Sequence, residues 1–326
     1  MWLYVVAVLL GLLLLRRWHR ERQTVPRLSE KHVLITGCDS GFGNLLAQQL
    51  DARGLRVLAA CLTEAGAAQL RAAASDRLQT VLLDVTSSQS IADVTAWVRE
   101  RVGDRGLWGL VNNAGIAIPT APNEWLTKED FVKVLDVNLV GLVEVTLSLL
   151  PLVRRARGRV VNVASVMGRV SFFGGGYCIS KYGVEAFSDS LRYGCGSPRS
   201  SPLRPFGVRV SIIEPGGFQT GMIDPAPLVK GFVRLWERLP AEAQAAYGRP
   251  YLDKYAKSST LLHRLSSSRL SHVTDAMAHA LLSRCPRSRY AAGWDARLIF
   301  LPLSYCPAWL SDTILGLFLP VPARGI

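Results

Sequence analysis

The chain has 326 residues, 49% hydrophobic and 19% charged, which excludes a disordered polymer and leaves room for one large domain or two smaller ones. Its net charge of +13 suits nucleic acid, anionic lipid or a phosphate-bearing cofactor. The basic residues, however, fall in short clusters (16–22, 154–159, 199–209) without interleaved stacking aromatics, so no nucleic-acid partner is expected; the six cysteines show no C-x-x-C and no zinc spacing, so reduced thiols and no metal are expected.

Residues 1–15, MWLYVVAVLLGLLLL, carry no charged side chain, and RRWHRER follows at once. Fifteen helical residues reach roughly 22 Å against a hydrocarbon core of roughly 30 Å. Snorkelling arginines and Trp18 extend that reach. The charges follow the apolar run and no small-residue cleavage site comes after it, which favours an uncleaved membrane anchor with its basic flank over residues 1–25. Arg16, Arg17, Arg20 and Arg22 then place the remaining body, residues 26–326, on the cytoplasmic side.

From His32 the pattern alternates between β and α. HVLIT (32–36) predicts a strand, GCDSGFG (37–43) a tight turn and NLLAQQLDARG (44–54) a helix. Gly37, Gly41 and Gly43 follow G-x-x-x-G-x-G rather than the G-x-G-x-x-G fingerprint. The physics is shared: glycines let the backbone approach a pyrophosphate, and the new helix offers its N-terminal N–H groups. LRVLAAC (55–61) predicts the second strand. Cys61 stands where NAD-selective proteins place an acid, and no Arg or Lys in the next two residues awaits a 2′-phosphate, which argues against NADP. A helix over 63–74 and a strand over 77–85 follow, with Asp84 placed for an adenine amino group or for capping the helix over 88–103. The strand over 107–115 ends in NNAG. There Asn112 and Asn113 are expected to hold the turn by side-chain bonds to the backbone, while Ala114 and Gly115 leave space for a ligand.

A long helix is predicted over 127–150, closed by Pro151. Asn138 inside it is either a satisfied buried amide or a residue that distorts the helix and holds a water near Lys181. The strand over 158–165 ends at Ser165, and a helix over 177–193 opens with Tyr177 and Lys181, whose i,i+4 spacing puts them on one face. A phenol of ordinary pKa, about 10, is a poor base at neutral pH. A neighbouring ammonium favours the phenolate. With Ser165 bonded to the same substrate oxygen, the three make an acid–base centre for an alcohol or a carbonyl. A strand over 207–217 with a Pro-Gly stop completes an α/β pattern. It predicts a doubly wound parallel sheet flanked by helices, with ligands at the C-terminal strand ends.

TGCDSGFG, NNAG, Asn138, Ser165, YCISK and EPGG stand in the order and near the spacing of the short-chain dehydrogenase/reductase family, which the chain resembles over roughly residues 30–300. ITGCDSGFG, LVNNAG, RARGRVVNV, GGGYCISK, VEAFSDSLR and PRSRYAAGWDARL make it similar to that family's microsomal retinol and hydroxysteroid dehydrogenases. The resemblance implies a single Rossmann-type domain and a catalytic tetrad. In it Tyr177 exchanges the hydroxyl proton, Lys181 lowers its pKa and binds the nicotinamide ribose, Ser165 holds the substrate oxygen, and Asn138 supports a water link to Lys181. Thr36, Gly37, Ser40, Gly41, Phe42, Gly43, Asp84, Val85, Asn112, Asn113, Ala114, Gly115, Pro215, Gly216 and Thr220 would line NAD together with Tyr177 and Lys181. The implied substrates are retinol, all-trans preferred, and 3α-hydroxysteroids, at the endoplasmic reticulum membrane. A steroid-only enzyme, an 11-cis-retinol enzyme and a non-catalytic nucleotide- or lipid-binding relative are the alternatives.

One stretch departs from the family. Gly194, Gly196, Pro198, Pro202 and Pro205 cannot continue a helix comfortably, so 194–205 reads as an inserted, exposed loop. In the family that helix takes part in subunit pairing, so a homodimer is one expected assembly and the insertion bears on it. Residues 218–262, with FVRLWERL (232–239), are expected to form a less regular substrate lid. The tail over 298–322 is broken by Pro302, Pro307 and Pro320. Trp309, Leu310, Ile314, Leu317 and Phe318 would share one face of a short helix, lying either in a membrane interface or on the protein's own core.

Overall fold

Seven short apolar runs become parallel strands: β1 (His32–Thr36), β2 (Arg56–Cys61), β3 (Leu78–Leu82), β4 (Gly109–Asn112), β5 (Arg159–Val163), β6 (Arg209–Pro215) and β7 (Arg289–Ala292). In this computed structural model, which describes residues 2–172, 174–196 and 206–317, they form one sheet in the order β3-β2-β1-β4-β5-β6-β7. Every residue of β1, β4 and β5 is buried, as expected of strands covered on both faces.

Helices cover both faces. On one lie α2 (Gly41–Ala52), α3 (Glu64–Ala72) and α11 (Ser271–Leu282), whose Leu46, Leu50, Leu70, Met277 and Leu281 close a core over Val33, Ile35 and Val57. On the other, α4 (Ser88–Val102), α6 (Gly141–Arg155) and α7 (Gly176–Gly196) face Leu34, Leu110 and Val160 through Ile91, Val98, Val145 and Leu149, with Val184 of α7 packed beside Ile212. The remaining helices are α1 (Trp2–Glu21), α5 (Lys128–Leu135), α8 (Pro225–Glu237), α9 (Ala241–Tyr247), α10 (Arg249–Leu265), the single turn α12 (Leu301–Leu303) and α13 (Ala308–Gly316).

Several expected boundaries move for identifiable reasons. The helix expected from residue 44 starts at Gly41, so the last glycines of the turn already belong to its first turn. The helix expected to close at Pro151 runs on to Arg155. Pro151 is exposed, so water reaches the carbonyl that its ring leaves without a donor. The same run is interrupted over Asp136–Val140 by a π turn, in which the Gly141 N–H donates to the Asp136 carbonyl. Gly141 is needed there, because a Cβ would stand 2.3 Å from the Val85 carbonyl oxygen. Helix α7 continues past Tyr193 through Gly194 and Gly196, and the rest of the expected insertion, 197–205, lies outside the described residues. The segment expected to be irregular, 218–262, is mostly the three helices α8 to α10. Asp224 caps the first of them through the Ala226 N–H at 3.0 Å, with Pro225 following.

Helix α1 is longer than its apolar run and carries the basic flank to Glu21. Its apolar side chains, Trp2 through Leu15 where described, are exposed. Its C-terminal end is tied to the body: Arg287 pairs with Glu21 at 2.5 Å, and the Ser283 hydroxyl donates to the Glu21 carbonyl at 2.9 Å. Among the described residues the helical run Lys128–Arg155 is long and apolar enough to cross a membrane, but its apolar face is spent in the core. In the tail no residue of α13 is fully buried: Leu310 and Ile314 are half-buried, whereas Trp309 and Leu317 are exposed, as are Trp294, Leu298 and Tyr305. Phe318 and the tail beyond it lie outside the described residues.

Candidate active site

Because β1 lies between β2 and β4, the connections leaving β1 and β4 diverge, and a crevice opens at their C-terminal ends. The backbone builds one side of it. Gly37 has φ 70°, and a Cβ there would stand 2.8 Å from the Ala114 Cα. A Cβ on Gly43 would stand 2.4 Å from the Gly37 oxygen. The Thr36 hydroxyl accepts from the Asn113 and Ala114 N–H groups, each at 3.0 Å. The Asn113 amide donates back to the carbonyls of Thr36 at 2.9 Å and Gly37 at 3.0 Å. Ser40 precedes α2 and makes no side-chain cap, so the first N–H groups of α2 remain open to an anion.

The side-chain bonding of Asn112 and the capping of α4 depart from expectation. The Asn112 amide bonds no backbone; it donates to Thr146 and Asn162, each at 2.8 Å, and the Asn162 amide continues to Ser188 at 2.8 Å. Asp84 is exposed, and its carboxylate accepts from the Thr86 N–H at 2.9 Å and hydroxyl at 2.7 Å. Capping of α4 falls to Ser87. Val85 is buried, with its carbonyl under Gly141. The Phe42 ring meets Phe218 edge-on at 5.7 Å. Thr220 faces Gly41, its methyl 3.8 Å from where a Cβ would stand.

Two carboxylates that frame the crevice were missed in the sequence. Asp39 reaches the end of β2, where its oxygens accept from the N–H groups of Leu62 at 2.8 Å and Thr63 at 2.9 Å and from the Thr63 hydroxyl at 2.7 Å. Burial alone would push its carboxyl up, but these donors outweigh burial and hold it below the ordinary value. Asp295 accepts from the Gly217 N–H at 2.6 Å and fills the space a Cβ on Gly216 would need, 2.2 Å from its oxygens, so it fixes the Pro215–Gly216 turn from below.

The reacting groups gather at the ends of β4 and β5. Asn138, fully buried in the π turn, accepts from the Ile116 N–H at 2.8 Å and donates to the Ile116 carbonyl at 2.8 Å and the Ser180 hydroxyl at 3.0 Å. The amide is thus satisfied and the helix is distorted at the same residue. Tyr177 sits in the first turn of α7 beside Ser165, whose Oγ accepts from the Met167 N–H at 3.1 Å. Lys181 is buried; its Nζ donates to the Val163 carbonyl at 2.8 Å and lies 5.6 Å from the Tyr177 ring centre. A Cβ on Gly115 would stand 3.3 Å from the Asn138 oxygen and 3.8 Å from Lys181 Nζ, so this glycine keeps the space between them open.

Electrostatics here run against the simple expectation. Burial pushes the Tyr177 phenol up to about 12, with Ser165 opposing it, and burial brings Lys181 down to about 8, with Glu185 opposing. Desolvation dominates both groups, and the net shift of the phenol is upward although Lys181 Nζ lies 5.6 Å from its ring centre.

A nucleotide crevice at the switch point with a buried Ser–Tyr–Lys group beside it defines an α/β oxidoreductase of the dinucleotide-binding class. The family model for short chain dehydrogenase matches residues 31–227, and the chain belongs to that family. It is 59% identical over 326 residues to retinol dehydrogenase 16 of Homo sapiens, with all of both chains covered. It is 56% identical over 328 residues to 17-beta-hydroxysteroid dehydrogenase type 6 of Homo sapiens, again with all of both covered. A crystal structure of a short-chain dehydrogenase from Streptomyces avermitilis is 27% identical, with a TM-score of 0.66 over 88% of this chain and 95% of that one. The chain is therefore an oxidoreductase working with a nicotinamide dinucleotide. The crevice fits that group, since Gly115 keeps the space beside Asn138 and Lys181 clear and the first N–H groups of α2 carry no side-chain cap.

Proposed function

We propose that the chain is a membrane-anchored, NAD-dependent dehydrogenase of apolar alcohols that interconverts retinol and retinal, all-trans preferred, and 3α-hydroxysteroids and 3-ketosteroids. The observation that carries the reading is the placement of Tyr177 against Ser165, with Lys181 on the next turn and Asn138 behind. When bound, the nicotinamide supplies the hydride acceptor. Ser165 holds the alcohol oxygen, and Tyr177 takes its proton as the carbinol carbon loses hydride. The phenol starts from about 12, so an ammonium at Lys181 is what brings the phenolate within reach near neutral pH. Thr36, Gly37, Gly43, Asn113 and Gly115 hold the cofactor through backbone and small side chains. The names of the relatives point to retinoid and steroid alcohols, and the likeness to 17-beta-hydroxysteroid dehydrogenase type 6 supports a steroid-only enzyme as the second reading.

Asp39 supports NAD over NADP. Its carboxylate, ionised at neutral pH, stands at the β2 end, where a 2′-phosphate would bring like charge close to it. The exposed apolar side chains of α1 and of the tail support membrane attachment, and the arginine flank supports a body facing the cytoplasm from the endoplasmic reticulum. One preparation tests these readings. Detergent-free sealed membranes carrying the chain should reduce NAD faster than NADP with all-trans-retinol or a 3α-hydroxysteroid. Tyr177→Phe should lose turnover while keeping cofactor affinity, and added protease should degrade the catalytic body. Turnover that survives Tyr177→Phe would sink the mechanism, and a body resistant to protease would overturn the orientation.

A further inference from the structure

Glu185 lies one helical turn beyond Lys181, on the same face of α7. Both side chains are buried. Glu185 Oε2 is bonded by Arg289 of β7, whereas Oε1 is buried without a hydrogen-bond partner. A buried carboxylate with an unbonded oxygen is costly unless further positive charge lies near it. The groups facing Glu185 are Lys181 from α7, Arg289 from β7, Glu214 from β6 and Arg169 from the turn after Ser165, with Asp189 of α7 sharing Arg289. Arg289 also holds Glu214 at 3.1 Å and Asp189 at 2.6 Å, and Arg169 holds Glu214 at 3.1 Å. Gly168 presses on the turn between the two residues: a Cβ there would stand 2.8 Å from the Lys181 carbonyl oxygen and 3.1 Å from Glu185 Cγ.

We infer that Glu185 is a positioning residue for the reaction, its carboxylate keeping Lys181 in the ammonium form that Tyr177 requires. The inference rests on the tyrosine–lysine reading above. Lys181 itself donates to Val163, a neutral carbonyl. Burial drives it toward the neutral amine, and Glu185 is the charge that opposes this. Burial and Glu214 in turn push Glu185 up to about 7, while Arg289 and Arg169 favour its ionised form. Turnover needs charged Lys181, so it falls as pH rises through the lysine's pKa. Removing the carboxylate lowers that pKa and brings the fall to lower pH.

The test is kcat/KM for alcohol oxidation at saturating NAD, followed across a pH range of about 6 to 10. In Glu185→Gln the alkaline limb should move down by about one pH unit. Glu185→Asp, which keeps the charge, should return the limb toward the wild-type position. Asp189→Asn removes an equally direct partner of Arg289, but two turns from Lys181, and should leave the limb in place. Arg289 keeps Glu214 and Asp189 when Glu185 is neutral, so the fold should hold; Glu185→Met carries the same expectation should the glutamine variant fail to fold. A limb that stays put in the neutral variants, or moves as far in Asp189→Asn, overturns the inference. If the wild type shows no turnover that depends on Tyr177, the catalytic reading falls and this inference with it. Tyr177-dependent turnover with an unmoved limb defeats the inference alone.

Discussion

On the nucleotide side of the crevice, Thr36, Gly37, Gly43 and Asn113 work through backbone atoms and through the absence of side-chain volume. In the proposed lid the opposite holds. Trp125, on the loop between β4 and α5, is enclosed by the rings of Phe232, Trp236, Tyr247 and Tyr251 at 4.8, 5.5, 4.9 and 5.7 Å, and Tyr255 stacks on Phe232 at 3.5 Å. A dinucleotide presents the same phosphates and rings to every protein that binds it, so a local turn suffices to receive it. An apolar alcohol offers little beyond shape, and shape is met by side-chain volume gathered from distant elements.

The sharpest way to break this division is Trp125→Ala. Removing an enclosed indole costs about 3–5 kcal/mol. The expected result is a lowered Tm and a raised KM for the apolar alcohol, with cofactor affinity unchanged by titration. Equal losses for cofactor and alcohol would mean that the two sides are one unit.

The reciprocal change is Gly43→Ala. The added methyl would stand 2.4 Å from the Gly37 oxygen and 2.6 Å from the Asn113 amide nitrogen, both held by other bonds. Overpacking of this kind costs about 1–3 kcal/mol, roughly ten- to a hundredfold in cofactor affinity if it is taken from binding. A fluorescence titration with NADH measures it. Wild-type affinity in the variant would show that the turn yields and that the glycine is not required by contact.

The same division explains what the sequence made legible. The strand, turn and helix around Gly37 could be read because their constraints lie within a few residues of one another. Asp39 and Asp295 could not, since their partners are 23 and 78 residues away and an Asp inside a turn already has a local explanation. The four aromatics around Trp125 come from α8, α9 and α10, and no spacing in the chain joins them to residue 125. For Tyr177 and Lys181 the pairing was legible but the direction of the phenol's shift was not, because it is set by burial, and burial is a property of the whole fold. The helix end expected at Pro151 lies at Arg155 because the carbonyl its ring leaves free is solvated, and the end expected at Tyr193 lies beyond it because a glycine in a helix costs only about 1 kcal/mol.

The smallest effect is expected where the lid helix α8 is joined to α5 by charge. Arg238, at the end of α8, donates to Asp130 at 2.9 Å, and Asp130 also forms the capping box of α5 with Thr127. Burial would push the Asp130 carboxyl up, but the Thr127 N–H and Arg238 outweigh it and hold it below the ordinary value. A depressed folded pKa gives stability that is present above the unfolded value and lost as pH falls through the folded one. Arg238→Ala should therefore cost most at neutral pH, and its difference from wild type should shrink in acid. The Arg238 side chain is 54% exposed, so the pair is worth at most about 1 kcal/mol, and Thr127 still satisfies Asp130 when it is gone. Tm should fall by less than about 4 °C, and KM for the alcohol should stay within about twofold. A KM that rose as far as in Trp125→Ala would make this ion pair part of the lid's closure, and the lid would then depend on charge as well as on volume.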